Sequence, residues 1–269
     1  MPNDAAVAQI ASAKSSPAKS TPARSRAARF ARWAAWDAAR DAIREFKIQW
    51  LTIATATKVR YAMTLGVGLV LCCIFTAGLT FLARWAAPRG LAAWDERVLR
   101  AIDAQHIMSV QNAVLLESFG NLAYLIPLVA ACAFVAIRRR RPLLAITFVA
   151  AYALARPVVG VGWLLWDRAR PHVILDGRAA PPLHSYPSGH VALAMAVYGL
   201  LAYLWVRVSK SWPERATAVL LMLAIVFVTG GARLRLGVHW PSDVIAGWII
   251  GTAWLAVVLR ALHRSREAA

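Results

Sequence analysis

The sequence predicts an all-α fold, a polytopic membrane bundle of six transmembrane helices with both termini in the cytoplasm. Of the 269 residues, 59% are hydrophobic and the mean hydropathy is +0.53, whereas soluble domains are usually about 45–50% apolar. Six apolar stretches are each near the roughly 20 residues that a helix needs to cross a bilayer. They cover residues 62–83, 112–137, 143–166, 190–206, 216–231 and 244–262.

The basic residues orient these spans, because Lys and Arg gather on cytoplasmic flanks. With the N-terminus inside, cytoplasmic segments hold 21 of the 31 Lys and Arg residues, including the four arginines at 138–141. The net charge of +18 therefore indicates topology and attraction to anionic lipid headgroups. No soluble module concentrates the cations as nucleic-acid binding would require. We expect a multi-pass protein of the cytoplasmic (inner) membrane.

The N-terminal sixty residues precede the first span. Residues 1–28 are rich in Ala, Ser, Pro and basic residues, which predicts a disordered basic cytoplasmic tail. Residues 29–60 place Trp36, Ile43 and Trp50 at helical spacing among basic residues, which predicts an amphipathic helix on anionic inner-leaflet lipids. Packing of this helix on a partner or on the bundle is the alternative. Residues 61–263 form the six-span domain.

The three cysteines, Cys72, Cys73 and Cys132, all lie within predicted spans. They are most simply small buried hydrophobic residues. Their spacing fits neither a metal site nor a disulfide framework.

The loop at 167–189, on the outer side, begins with Arg168 and Arg170, followed by Pro171. Two guanidinium groups at a membrane surface suit a phosphate, because each can donate two hydrogen bonds to its oxygens. Ordinary interfacial arginines are the alternative.

The same loop ends in Ser188, Gly189 and His190 at the start of the fourth span. Ser188 is a candidate N-cap, and the free amides of a helix start bind anions. Gly189 lets the backbone approach an oxyanion closely. His190 would then stand beside that anion, able to exchange a proton near neutral pH. A simple cap or surface histidine is the alternative.

A second outer turn, 232–243, contains Arg233, His239 and Asp243. If the sixth span begins near Trp240, with Pro241 in its first turn, the i, i+4 spacing puts Asp243 beside His239 on one helical face. A carboxylate on one ring nitrogen fixes the tautomer and leaves the other nitrogen as a nucleophile or base. An interfacial histidine near a helix-start aspartate is the alternative.

Together, the three clusters resemble the signature of the type 2 phosphatidic acid phosphatase family. That signature reads Lys, six residues, Arg-Pro; then Pro-Ser-Gly-His; then Ser-Arg, five residues, His, three residues, Asp. The second part matches completely at 187–190, and the third matches at Arg233, His239 and Asp243. The resemblance covers roughly 60–262.

The resemblance implies a phosphohistidine mechanism that needs no metal or other cofactor. His239 would attack phosphorus, Asp243 would orient that imidazole, and His190 would protonate the leaving lipid oxygen. The implied phosphate-binding residues are Arg170, Arg233, Ser188 and Gly189, with Arg168 as a possible helper.

Two positions depart from the family pattern. Trp163 replaces the lysine seven residues before Arg170, and Ala232 replaces the serine before Arg233. Loss of a cationic side chain that binds the phosphate could cost on the order of 1.5–3 kcal/mol of hydrogen-bonding free energy. Arg156, inside the third span, is a further functional candidate; the alternative is a structural partner for Glu117 or for a backbone carbonyl near Pro157.

We expect an integral-membrane lipid phosphatase that acts at the outer face on an isoprenoid diphosphate, such as undecaprenyl diphosphate, or on a glycerophospholipid phosphate. The alternatives are a phosphotransferase on the same scaffold and a non-catalytic lipid-binding protein.

Overall fold

The computed structural model describes residues 22–105, 107–174, 177 and 183–266. The described residues form ten α-helices and no β-strand, which confirms the predicted all-α fold. Short 3-10 turns cover Ala87–Arg89 and Ser118–Gly120. The helices are α1 (Pro22–Thr52), α2 (Thr55–Ala86), α3 (Leu91–Ala104), α4 (Val110–Glu117), α5 (Leu122–Arg138), α6 (Pro142–Ala153), α7 (Ala155–Leu165), α8 (Gly189–Val208), α9 (Trp212–Arg235) and α10 (Pro241–Arg266).

The chain divides between residues 45 and 46 into two units. In the first unit the described residues belong to α1, and its Trp33, Trp36 and Ile43 side chains are more than half exposed. An exposed apolar face on a basic helix is typical of helices that lie on a membrane surface.

The limits of α1 correct the predicted segments at two places. Residues 22–28 are helical, so the prediction of a disordered tail fails there, and residues 1–21 lie outside the described residues. After a bend at 53–54, α2 begins at Thr55. Residues 55–60 therefore belong to the first span and not to the amphipathic helix predicted over 29–60.

The described residues of the second unit contain six stretches long and apolar enough to cross a bilayer, which confirms the predicted number of spans. Two of them are interrupted. The second is broken by the turn Ser118–Gly120 and the third by a one-residue break at Leu154. The six stretches are Thr55–Arg89, Val110–Arg138, Pro142–Leu165, Gly189–Val208, Trp212–Arg235 and Pro241–Ser265.

The sequence signals at the span ends have visible counterparts. Ser109, Asn121 and Ser211 cap α4, α5 and α9, each accepting a hydrogen bond from a backbone N–H of the first turn. Pro241 occupies the first turn of α10, as predicted, where its missing N–H costs nothing. These residues fix where α4, α5, α9 and α10 begin.

The first turns of α8 and α10 carry Gly189, His190 and Asp243 of the candidate site, and the two helices pack together through glycines. A Cβ on Gly247 would lie 2.7 Å from the carbonyl oxygen of Ser188, and one on Gly251 would lie 2.7 Å from that of Ala192. Small residues allow such close helix contact within membranes. The two helix starts are therefore held side by side.

We predict that Gly251→Ala lowers the thermal unfolding midpoint in detergent, because the new methyl group meets backbone atoms that cannot move aside. The matched control is Gly66→Ala on α2, where a Cβ would meet nothing within 4 Å. Since Ala favours helix by about 1 kcal/mol over Gly, the control should keep or raise the midpoint. Equal midpoints for the two variants would contradict this packing.

Candidate active site

The buried carboxylate of Asp243 joins the segments that carry the predicted site. Its Oδ2 accepts hydrogen bonds from Ser185 Oγ and, at 2.8 Å, from the backbone N–H of Trp240. Its main-chain oxygen accepts the N–H of Ser188 at 3.0 Å. Asp243 is 0% exposed. One side chain of α10 therefore fixes both the loop before α8 and the turn that holds His239.

Arg168 binds the other oxygen of Asp243. Its Nη1 lies 2.6 Å from Asp243 Oδ1, and its Nη2 lies 2.6 Å from Oδ2 of Asp95 on α3. Asp95 also accepts the backbone N–H and the hydroxyl of Ser242 at 2.8 and 2.7 Å. All four charged or polar groups are buried, so each charge is compensated by a hydrogen-bonded partner.

This arrangement differs from the phosphate-binding role expected for Arg168. Both terminal nitrogens of its guanidinium are engaged by carboxylates, and the group lies 4.8 and 5.5 Å from the ring centroids of Trp166 and Trp240. Its contacts are those of a residue that positions Asp243. The sequence did not reveal this because Asp95 lies 73 residues away along the chain.

His239 is buried beside Asp243. Its Nδ1 lies 3.5 Å from Asp243 Oδ2, which is longer than a hydrogen bond, and this nitrogen has no hydrogen-bond partner among the described residues. Burial lowers the pKa of His239 to about 4; Asp243 opposes that change, and the positive charges of Arg233 and Arg170 add to it. The imidazole is therefore neutral at pH 7, the form that has a nucleophilic lone pair.

The two arginines that lower the pKa of His239 are the predicted phosphate ligands. Arg170 donates from Nη1 to the main-chain oxygen of Val238, next to His239, while its buried Nε has no hydrogen-bond partner among the described residues. Burial lowers the pKa of Arg170. Arg233, at the end of α9, pairs with the buried carboxylate of Glu117. Both guanidiniums are thus held near His239.

The start of α8 presents the second predicted cluster. Ser188 is the N-cap by position, but its hydroxyl makes no capping bond and is buried without a partner among the residues described. The first residue of the helix is Gly189, followed by His190. A Cβ on Gly120 would lie 2.9 Å from His190 Cβ. The turn that follows Glu117 therefore packs directly on His190.

Trp163, at the position of the family lysine, packs against this cluster. Its indole N–H donates to the main-chain oxygen of Pro187 at 3.1 Å. A Cβ on Gly189 would lie 3.3 Å from the Trp163 ring. The tryptophan therefore holds the loop in place but brings no positive charge.

Three supporting residues, Asp95, Glu117 and Ser185, were absent from the predicted site. Glu117 could have been found as an ionisable residue inside an apolar stretch, but its partner is Arg233. Arg156 is exposed on α7, so the suggested pairing with Glu117 is wrong. Over the described ranges, no three His, Cys, Asp or Glu side chains are grouped to hold a metal ion.

The structure thus combines a bundle of six apolar stretches with a buried His239 that lies near Arg170 and Arg233, while His190 lies in the first turn of α8. The model of the PAP2 superfamily matches residues 143–267. Residues 143–267 therefore resemble the type 2 phosphatidic acid phosphatase family, and the resemblance predicted from the three motifs is confirmed.

Individual relatives match parts of the chain. Phosphatidylglycerophosphatase B of Escherichia coli (strain K12) is 41% identical over 75 residues, 27% of either protein. Undecaprenyl-diphosphatase of Sulfolobus acidocaldarius is 29% identical over 147 residues, 53% of this chain and 65% of that protein. The chain thus matches less than two thirds of the length of each of these curated relatives.

A solved structure shows the same fold. The transmembrane PAP2 type phosphatidylglycerolphosphate phosphatase from Bacillus subtilis aligns with 71% of this chain and 94% of its own, with a TM-score of 0.60 and 21% identity. This likeness confirms the helical architecture.

We predict that His239 stays neutral well below the usual histidine pKa of about 6.5. The measurement is an NMR titration of the detergent-solubilised protein with 13C-labelled histidine, in which the His239 signal is identified by its loss in His239→Gln. Because the folded pKa is lowered to about 4, that signal should not move between pH 8 and 5. A titration midpoint near 6.5 would show that the imidazole is not desolvated as described.

Proposed function

We propose that the protein is an integral-membrane lipid phosphatase that hydrolyses a lipid phosphomonoester or diphosphate through a phosphohistidine. The observation that carries the proposal is the burial of His239 at 3.5 Å from the Asp243 carboxylate and near the guanidinium groups of Arg170 and Arg233. A nucleophile beside two fixed cations suits phosphoryl transfer, where positioning and charge stabilisation supply most of the catalysis.

The reaction proceeds in two steps. The Nε2 lone pair of His239 forms a bond to phosphorus while the bond to the lipid oxygen breaks, and His190 donates a proton to that oxygen. Water then attacks the phosphohistidine, gives its proton to His190 and restores His239. Arg170, Arg233, the Ser188 hydroxyl and the Gly189 amide bind the equatorial oxygens.

The lipid class is supported by an apolar groove beside the site. This groove, of about 370 Å³, lies between α2, α3 and α10, and Tyr186 and Ser242 line it together with Leu79, Trp94 and Ile249. Tyr186 follows Ser185, whose hydroxyl donates to Asp243, and Ser242 accepts a hydrogen bond from Arg168, which also pairs with Asp243. A lipid chain in the groove would therefore leave its headgroup at the phosphate site.

The substrate is an isoprenoid diphosphate or a glycerophospholipid phosphate, the two lipid classes that the names of the curated relatives mention. We infer that the reaction occurs at the outer face of the cytoplasmic membrane; the arginine distribution supports this, because the arginines at 138–141 would lie on the opposite, cytoplasmic side.

We predict that the purified protein releases phosphate from undecaprenyl diphosphate, phosphatidylglycerophosphate or phosphatidate, with chelator present. His239→Ala should reduce release to background, because no other group forms the phosphohistidine. The matched control is His172→Ala, an exposed histidine of the 167–189 loop, which should retain the rate. Undiminished turnover in His239→Ala contradicts the assignment.

The same assay separates the two alternatives. A phosphotransferase would move the label of a radioactive donor lipid to an added acceptor and release little free phosphate. A non-catalytic lipid-binding protein would give neither product with any lipid in the panel.

A further inference from the structure

A second groove, of about 820 Å³, runs between α2 and α10. On α2 it is lined by Met63, Val67 and Leu71, which recur at four-residue steps and so share one helix face. Each of these side chains is more than half exposed. At Gly68 the two helices touch, because a Cβ there would lie 2.2 Å from Val257 of α10. The groove is therefore an apolar trough with a closed floor.

Arginines line the groove at one end. Arg60 belongs to the first turns of α2, while Arg260 and Arg264 lie one turn apart near the end of α10. All three are exposed, and no Asp or Glu lines the groove. The structure records no ion pair for these three side chains within the described ranges. Three positive charges thus lie together at one end of the apolar trough.

This groove is distinct from the candidate active site. Arg260 lies 17 residues beyond Asp243 on the same helix, which corresponds to about 25 Å along the axis. Asp243 is in the first turn of α10, and Arg260 is in its last two turns. The arginines therefore belong to the opposite end of the six-span bundle.

We propose that the groove binds an anionic phospholipid, whose acyl chains lie along Met63, Val67 and Leu71 and whose phosphate contacts Arg60, Arg260 and Arg264. The charge favours this occupant, because basic pockets between transmembrane helices bind anionic headgroups. A zwitterionic phospholipid would bring its own cation next to three guanidiniums. Free phosphate would use the arginines but leave the apolar trough uncovered.

The test measures the thermal unfolding midpoint of the full chain in neutral detergent against added dioleoylphosphatidylglycerol, because a ligand of the folded state raises the midpoint. For Arg260→Gln/Arg264→Gln we expect at least a tenfold increase in the lipid concentration that gives half of the rise. The matched control, Arg207→Gln/Lys210→Gln, removes two exposed charges at the end of another span and should behave as wild type.

Two additional arms identify the ligand. Dioleoylphosphatidylcholine and inorganic phosphate should each leave the wild-type midpoint unchanged; a rise with inorganic phosphate equal to that with phosphatidylglycerol would overturn the lipid assignment. Val67→Trp keeps every arginine but narrows the trough, so it should weaken the response as well. Responses equal to wild type in both Arg260→Gln/Arg264→Gln and Val67→Trp would refute the proposal.

Discussion

The site depends on keeping the charge of Asp243 buried and compensated. Arg168 stands between Asp243 and Asp95, and this row of three charges links α3, the loop after α7 and the start of α10. Removing one partner from a buried ion pair typically costs about 3–5 kcal/mol, because the remaining charge is left uncompensated. The row therefore ties the position of His239 to a helix that carries none of the signature motifs.

A second support comes from the interruption in the second span. Glu117 ends α4 and pairs with Arg233, and the turn after it packs through Gly120 on His190. An uninterrupted apolar helix would provide neither contact. The break thus positions one proposed phosphate ligand and the proposed general acid from the same few residues.

Trp163, at the position of the family lysine, changes how the end of the 167–189 loop is held. The indole N–H donates a hydrogen bond to the main-chain oxygen of Pro187, and the ring packs against Gly189. The side chain therefore fixes the loop but supplies no positive charge. Arg170 and Arg233 remain as the proposed cationic ligands. A desolvated Arg170, with its Nε unpaired among the described residues, is suited to an incoming phosphate oxygen.

The spans could be predicted from the sequence because apolar length is a local property, and the start of α10 followed from Pro241. The i, i+4 spacing of His239 and Asp243 likewise predicted that these two side chains lie beside each other. Asp95 and Glu117 could not be found in this way, since their partners lie 73 and 116 residues distant along the chain. Arg168 was assigned to phosphate for the same reason: chain proximity to Arg170 hid its contact with two distant carboxylates.

The most direct measurement is a rapid-quench experiment with a lipid substrate carrying 32P in the transferred phosphoryl group. Attack by His239 on phosphorus predicts protein-bound label that is stable in alkali, labile in acid and confined to the peptide containing His239. Turnover without such label, or label on any other residue, would contradict the proposed nucleophile.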